Sequence, residues 1–124
     1  MNEEQYDKYT KMYQTNPEYL IHAKDKTGNL HFLIQGVKRY KTSILKNGIL
    51  TCSCPDFKFK SKKRKEPKYL CKHCIYIVID TLKMFPNNDR LLVQPFFDRG
   101  YFNSNEMKMV MTKFENLGTY ETIQ

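Results

Sequence analysis

All four cysteines of this 124-residue chain, Cys52, Cys54, Cys71 and Cys74, fall within 23 residues, and His73 stands between the last two. A disulfide framework spreads its half-cystines so as to tie distant elements together, whereas a tight cluster in a reducing compartment reads as a metal site. The spacing Cys52-x-Cys54-x16-Cys71-x-His73 supplies two close pairs of soft or borderline ligands. That set suits one tetrahedral Zn²⁺ with every position filled by protein, which makes the expected site structural and leaves no place for a reactive water.

The pairs also constrain the backbone. On a regular strand Cys52 and Cys54 share a face and Ser53 points away, so converging on one ion requires the chain to curl there, with Pro55 placed to hold the turn. Cys71 and His73 lie far apart around a regular helix, which puts Cys71 in or just before a first helical turn. Cys71 and Cys74, three apart, do share a helix face. An all-cysteine site is therefore the alternative; the expectation is His73 as ligand and Cys74 as a small apolar packing residue four positions before Val78.

Around this site the hydrophobic pattern predicts an α+β fold, a small antiparallel sheet or hairpin plus helices organised around the one zinc site. Residues 2–14 read as a helix, with Tyr6, Tyr9 and Tyr13 at helical intervals, broken by Asn16-Pro17. Tyr19–Lys24 and Leu30–Gln35 read as strands joined across Thr27-Gly28-Asn29, the alternative being a helix opened by Asn16-Pro17-Glu18. Arg39–Leu45 and Ile49–Cys52 read as a second hairpin turned at Asn47-Gly48. Ile75, Val78, Ile79, Leu82 and Phe85 mark one face of a helix over 72–85, although Ile75-Tyr-Ile-Val-Ile79 is β-prone in composition. Asn103 and Glu106 form a capping box ahead of Met107, Val110, Met111, Phe114 and Leu117, predicting a helix over 104–117. Leu91–Phe97 must lie against the core or against a partner.

Cys52-Ser-Cys54-Pro-Asp-Phe57 followed by Cys71-Lys-His73-Cys-Ile-Tyr-Ile resembles the SWIM-type zinc finger, whose pattern is CxC, a variable insert and CxH. The resemblance covers residues 30–85 and implies zinc held by Cys52, Cys54, Cys71 and His73, with a role in nucleic-acid binding or protein contact. It divides the chain into a lead-in over 1–29, a zinc-binding core over 30–85 with a basic insert at 57–69, and a C-terminal extension over 86–124.

Charge sharpens the expected partner. The chain carries +8 in all, yet residues 38–73 hold twelve Lys and Arg against Asp56 and Glu66, a local +10, while the remainder is slightly acidic. A polyanion, DNA or RNA, is attracted there, to Lys58, Lys60, Lys62, Lys63, Arg64, Lys65 and Lys68 on a loop clamped at both ends by the ion. Its aromatics, Phe57, Phe59 and Tyr69, are expected to pack beneath that loop, the alternative being that they stack on unpaired bases. A protein partner, through 91–97 and the 107–117 stripe, is the competing expectation.

Nothing in the sequence resembles a paired-carboxylate site, a phosphate-cradling glycine loop or a nucleophile elbow, so neither catalysis nor a small-molecule substrate is expected. His22 and His31 read as strand-surface residues. No apolar run approaches the roughly 20 residues of a membrane span. The N-terminal residues lack a secretory pattern, which points to an intracellular, reducing location. Lys62-Lys-Arg-Lys65 has the form of a nuclear localisation signal, and a single alanine amid many Lys, Asn, Ile and Tyr is the bias of an AT-rich genome such as that of a large DNA virus, which would put the protein in a viral factory or virion.

Overall fold

The computed structural model describes residues 18–35, 38–63, 69–85, 90–118 and 120–123. The helix expected over 2–14 lies outside them, as do Arg64, Lys65 and Lys68. Five strands form one sheet in the order β4-β3-β2-β1-β5. They are β1 (Glu18–Asp25), β2 (Leu30–Gln35), β3 (Arg39–Ile44), β4 (Leu50–Cys52) and β5 (Glu121–Ile123). The first four run antiparallel as two successive hairpins, and β5 adds in parallel to the free side of β1. The expected α+β architecture is therefore present, and its sheet crosses the boundary drawn at residue 30.

Both hairpins turn in the same way. In Asp25–Asn29 the Gly28 N–H donates to Asp25 O and the Asp25 N–H to Asn29 O; in Leu45–Ile49 the Gly48 N–H donates to Leu45 O and the Leu45 N–H to Ile49 O. Each glycine takes φ +92°, the position after a type I turn that glycine fills without strain. The Asn29 side chain accepts from the Lys46 N–H at 2.8 Å, joining the two turns. Gly48 has a second reason to lack a side chain: a Cβ there would lie 2.0 Å from Phe102 O, because the Phe102 N–H donates to Gly48 O.

One face of the sheet carries Leu30, Phe32, Ile34, Thr42, Ile44, Leu50 and Cys52, all buried. Over it pack the helical elements α2 (Lys72–Tyr76), which runs directly into a π-helical turn (Ile77–Thr81), α3 (Arg90–Arg99) and α4 (Ser104–Asn116); α1 (Pro55–Lys63) precedes them in the chain. Phe114 of α4 meets Phe32 edge-on at 5.9 Å, and Phe96 of α3 stacks on Phe102 at 4.3 Å. The capping box of α4 is formed in both directions between Asn103 and Glu106. The helix expected over 72–85 opens as α, then widens to π where Ile77, Val78 and Ile79, all buried, follow one another. Three adjacent β-branched residues crowd a regular helical turn, and that same run gives the segment its strand-like composition.

Two expectations are corrected, for the basic insert and for His22, and one left open, for Leu91–Phe97, is decided. The described part of the basic insert is helical up to Lys63; it was expected as a loop. Leu91–Phe97 lies within α3 despite Pro95, and Val93, Phe96 and Phe97 point into the chain's own core. His22 is buried, with Phe114 edge-on at 5.1 Å and Tyr120 at 6.2 Å, because the β1 side that bears it is covered by α4. His31, on the opposite sheet face, is a partly exposed strand residue as expected, bonded to Asp25 at 2.9 Å and to Ser43 at 2.7 Å.

Candidate metal centre

The hairpin register explains how the first cysteine pair reaches its place. Cys52 ends β4 opposite Thr42, and pairing with β3 continues one residue further: the Ser53 N–H donates to Lys41 O and Ser53 Oγ accepts from the Lys41 N–H, each at 2.9 Å. Cys52 and Cys54 are thereby both buried, with Ser53 between them partly exposed. Beyond Cys54 the chain does not simply turn at Pro55. It starts α1, with Pro55 at the first helical position, where its missing N–H costs nothing, and Asp56 in the first turn.

Cys54 caps this helix through both of its groups. Its carbonyl accepts from the Lys58 N–H at 3.1 Å and its sulfur from the Phe57 N–H at 3.4 Å. Cys71 has the same relation to α2: it is the N-cap, at φ −79° and ψ 171°, and its carbonyl accepts from the Ile75 N–H. Extended backbone at the cap turns Cys71 toward His73 in the first turn, which resolves the conflict between their spacing and a regular helix. Two helix N-termini thus carry one cysteine each into the cluster.

Cys52, Cys54, Cys71 and His73 are buried, and their ligand atoms all lie within 4.8 Å of one another. His73 Nδ1 is 3.7 Å from Cys52 Sγ and 3.8 Å from Cys71 Sγ. A tetrahedron with Zn–S of about 2.3 Å and Zn–N of about 2.0 Å has edges of about 3.5 to 3.8 Å, so the group is of the size needed to hold a single ion. Cys74 Sγ lies 3.7 Å from Cys71 Sγ but outside the four-residue group. The structure brings together the four residues expected as ligands and leaves Cys74 beside them, buried in the core.

Each sulfur of the group also has one neighbouring hydrogen-bond partner outside it. The Thr42 hydroxyl donates to Cys52 at 3.4 Å and the Phe57 N–H to Cys54, while the Cys71 thiol itself donates to Cys74. The Tyr40 ring packs against the imidazole of His73 at 5.1 Å. Such outer partners orient ligands and tune their basicity. Thr42 was not singled out from the sequence, yet its place opposite Cys52 follows from the Asn47-Gly48 turn and a count of residues along the hairpin.

The three thiols perturb one another strongly. Hydrogen bonds from Cys52 and then Cys71 hold the Cys54 thiol far below its ordinary range, with the Phe57 N–H adding to the effect. The Cys52 thiol is pushed up, first by its bond to Cys54 and next by Cys71, and burial pushes the Cys71 thiol up. Three sulfurs this close share their protons when no cation lies between them. A divalent ion at their centre lets all three become thiolates.

The surrounding segment is tied to the site by Tyr69. Its hydroxyl donates to Asp56, its ring faces Phe57 at 6.4 Å, and Lys60 lies over it at 5.4 Å while also pairing with Asp56 at 3.8 Å. Phe57 and Tyr69 are therefore the packed aromatics that were expected beneath the insert, and Lys60 is turned inward with them. Phe59 departs from that expectation: it is 63% exposed. Lys58, Lys62 and Lys63 are exposed as well.

The chain matches no family model, no curated protein and no solved structure. Among the described residues no helix is long and apolar enough to cross a membrane.

Proposed function

We propose that this is a non-enzymatic, zinc-stabilised nucleic-acid-binding protein of the SWIM type. Cys52, Cys54, Cys71 and His73 hold one structural Zn²⁺, and the basic segment between the two ligand pairs contacts phosphates. The observation that carries this reading is that α1 begins on a ligand, Cys54, and turns Lys58, Lys62 and Lys63 to solvent. Its charge is thus anchored to the Cys/His cluster through the Cys54 cap. A contact surface that is ordered beforehand loses less entropy on docking than a free lysine-rich loop. Arg64, Lys65 and Lys68 follow directly in sequence and extend the same charge. Against the competing protein-partner reading, Val93, Phe96, Phe97, Met107, Val110 and Phe114 are already covered by the chain's own core.

The test is affinity for DNA and RNA as a function of salt. Binding through lysine falls steeply as salt rises and shows little preference for sequence. Changing Lys62, Lys63, Arg64 and Lys65 to Gln lowers the slope of log K against log salt by about 3, at roughly 0.7 to 0.9 per phosphate contact. No retention on either nucleic acid at low salt, or an unchanged slope in the quadruple variant, refutes the reading.

A further inference from the structure

The exposed residues of α1 are Pro55, Lys58, Phe59, Lys62 and Lys63. Their offsets of 3, 4, 7 and 8 from Pro55 place them on one helical face. That face is three lysines surrounding a single aromatic ring. Phe59 is the most exposed large apolar side chain among the described residues, at 63%, while its neighbours Phe57 and Tyr69 are packed. Lys63 Nζ lies over the Phe59 ring, 4.3 Å from its centre, so a cation sits on one face of a ring that is otherwise largely exposed.

We infer that this face of α1 binds single-stranded nucleic acid, with an unpaired base stacked on Phe59 and the flanking phosphates held by Lys58, Lys62 and Lys63. The inference rests on the nucleic-acid reading above and deepens it. A phenyl ring has no hydrogen-bonding group with which to read base edges, and in a duplex a base face becomes available only at the cost of unstacking; an unpaired base offers its face without that cost. Base and phosphate are neighbours within one nucleotide, so a single nucleotide engages the ring and the adjoining lysine together. Neither contact senses the sugar 2′ position, so DNA and RNA single strands of one sequence bind alike.

The experiment measures fluorescence anisotropy of the zinc-loaded full chain with labelled oligothymidine, oligouridine and an oligothymidine–oligoadenine duplex. Phe59→Ala weakens both single strands about tenfold and leaves the duplex unchanged, and Phe59→Trp restores or improves single-strand binding. Because Phe59 is exposed, the variants fold, which zinc content and melting temperature verify. Equal loss on single strand and duplex, or no loss on either, overturns the stacking role while the phosphate-binding reading stands. Failure of the unaltered protein to bind any of the three overturns both.

Discussion

On the proposed zinc site, withdrawing the metal removes α1 before anything else. That helix has nine residues, none of them buried, and isolated helices shorter than about 12 to 15 residues are marginal in water. It is held to the molecule by its cap at Cys54 and by the contacts of Asp56, Phe57 and Lys60 with Tyr69. With free zinc at about a thousand times its dissociation constant, linkage alone contributes about 4 kcal/mol, a large share of the roughly 5 to 15 kcal/mol that holds a domain folded. For a chain of 124 residues that corresponds to a fall in melting temperature on the order of 10 to 25 °C. The assay is hydrogen exchange by mass spectrometry, with and without a chelator, in reducing buffer. Protection collapses over 55–63 at the lowest chelator concentration and then across 38–85. The β1–β2 hairpin and α4, in contact through Phe32, His22 and Phe114, are the last to exchange. Unchanged exchange and melting in protein verified to be free of zinc would refute the reasoning.

Cys74→Ala keeps one metal per chain and lowers its affinity by about tenfold through loss of the partner of Cys71, whereas His73→Ala abolishes stoichiometric binding; competitive titration with a chromophoric chelator separates the two. Gly48→Ala destabilises by about 3 kcal/mol or more, combining a strained backbone with collision against Phe102 O, as read from denaturant unfolding. The bond from His31, together with those from Thr27 and Asn29, holds the Asp25 carboxyl below its ordinary value. Its contribution is therefore complete above about pH 4 and is lost as pH falls toward the lowered folded value. The stability difference between the unaltered protein and Asp25→Asn accordingly shrinks on acidification below about pH 4, and a constant difference would contradict it.

The hairpins were legible because Thr27-Gly28-Asn29 and Asn47-Gly48 are local signals that the tertiary structure did not overrule, and the same holds for the Asn103–Glu106 box. The grouping of Cys52, Cys54 and Cys71 was legible from spacing, which left His73 and Cys74 both open for the fourth place; the apolar stripe that claims Cys74 favoured His73. α1 was hidden by its own composition: lysines at alternating positions give no apolar period. Its start signal was nonetheless present in Cys54-Pro55-Asp56, a cap followed by proline and an acid in the first turn. α3 was concealed by Pro95, whose lost hydrogen bond is outweighed by the burial of Val93, Phe96 and Phe97. The burial of His22 depends on Phe114 and Tyr120, far along the chain, and the pairing of β5 with β1 depends on where α4 delivers the C-terminal residues. Such long-range partners leave no local trace.

The most direct test is X-ray absorption at the zinc edge on protein purified under reducing conditions, combined with elemental analysis. The account predicts one zinc per chain, with three sulfurs at about 2.3 Å and one nitrogen at about 2.0 Å. Absence of stoichiometric metal, or a shell of four sulfurs with His73 excluded, would contradict it.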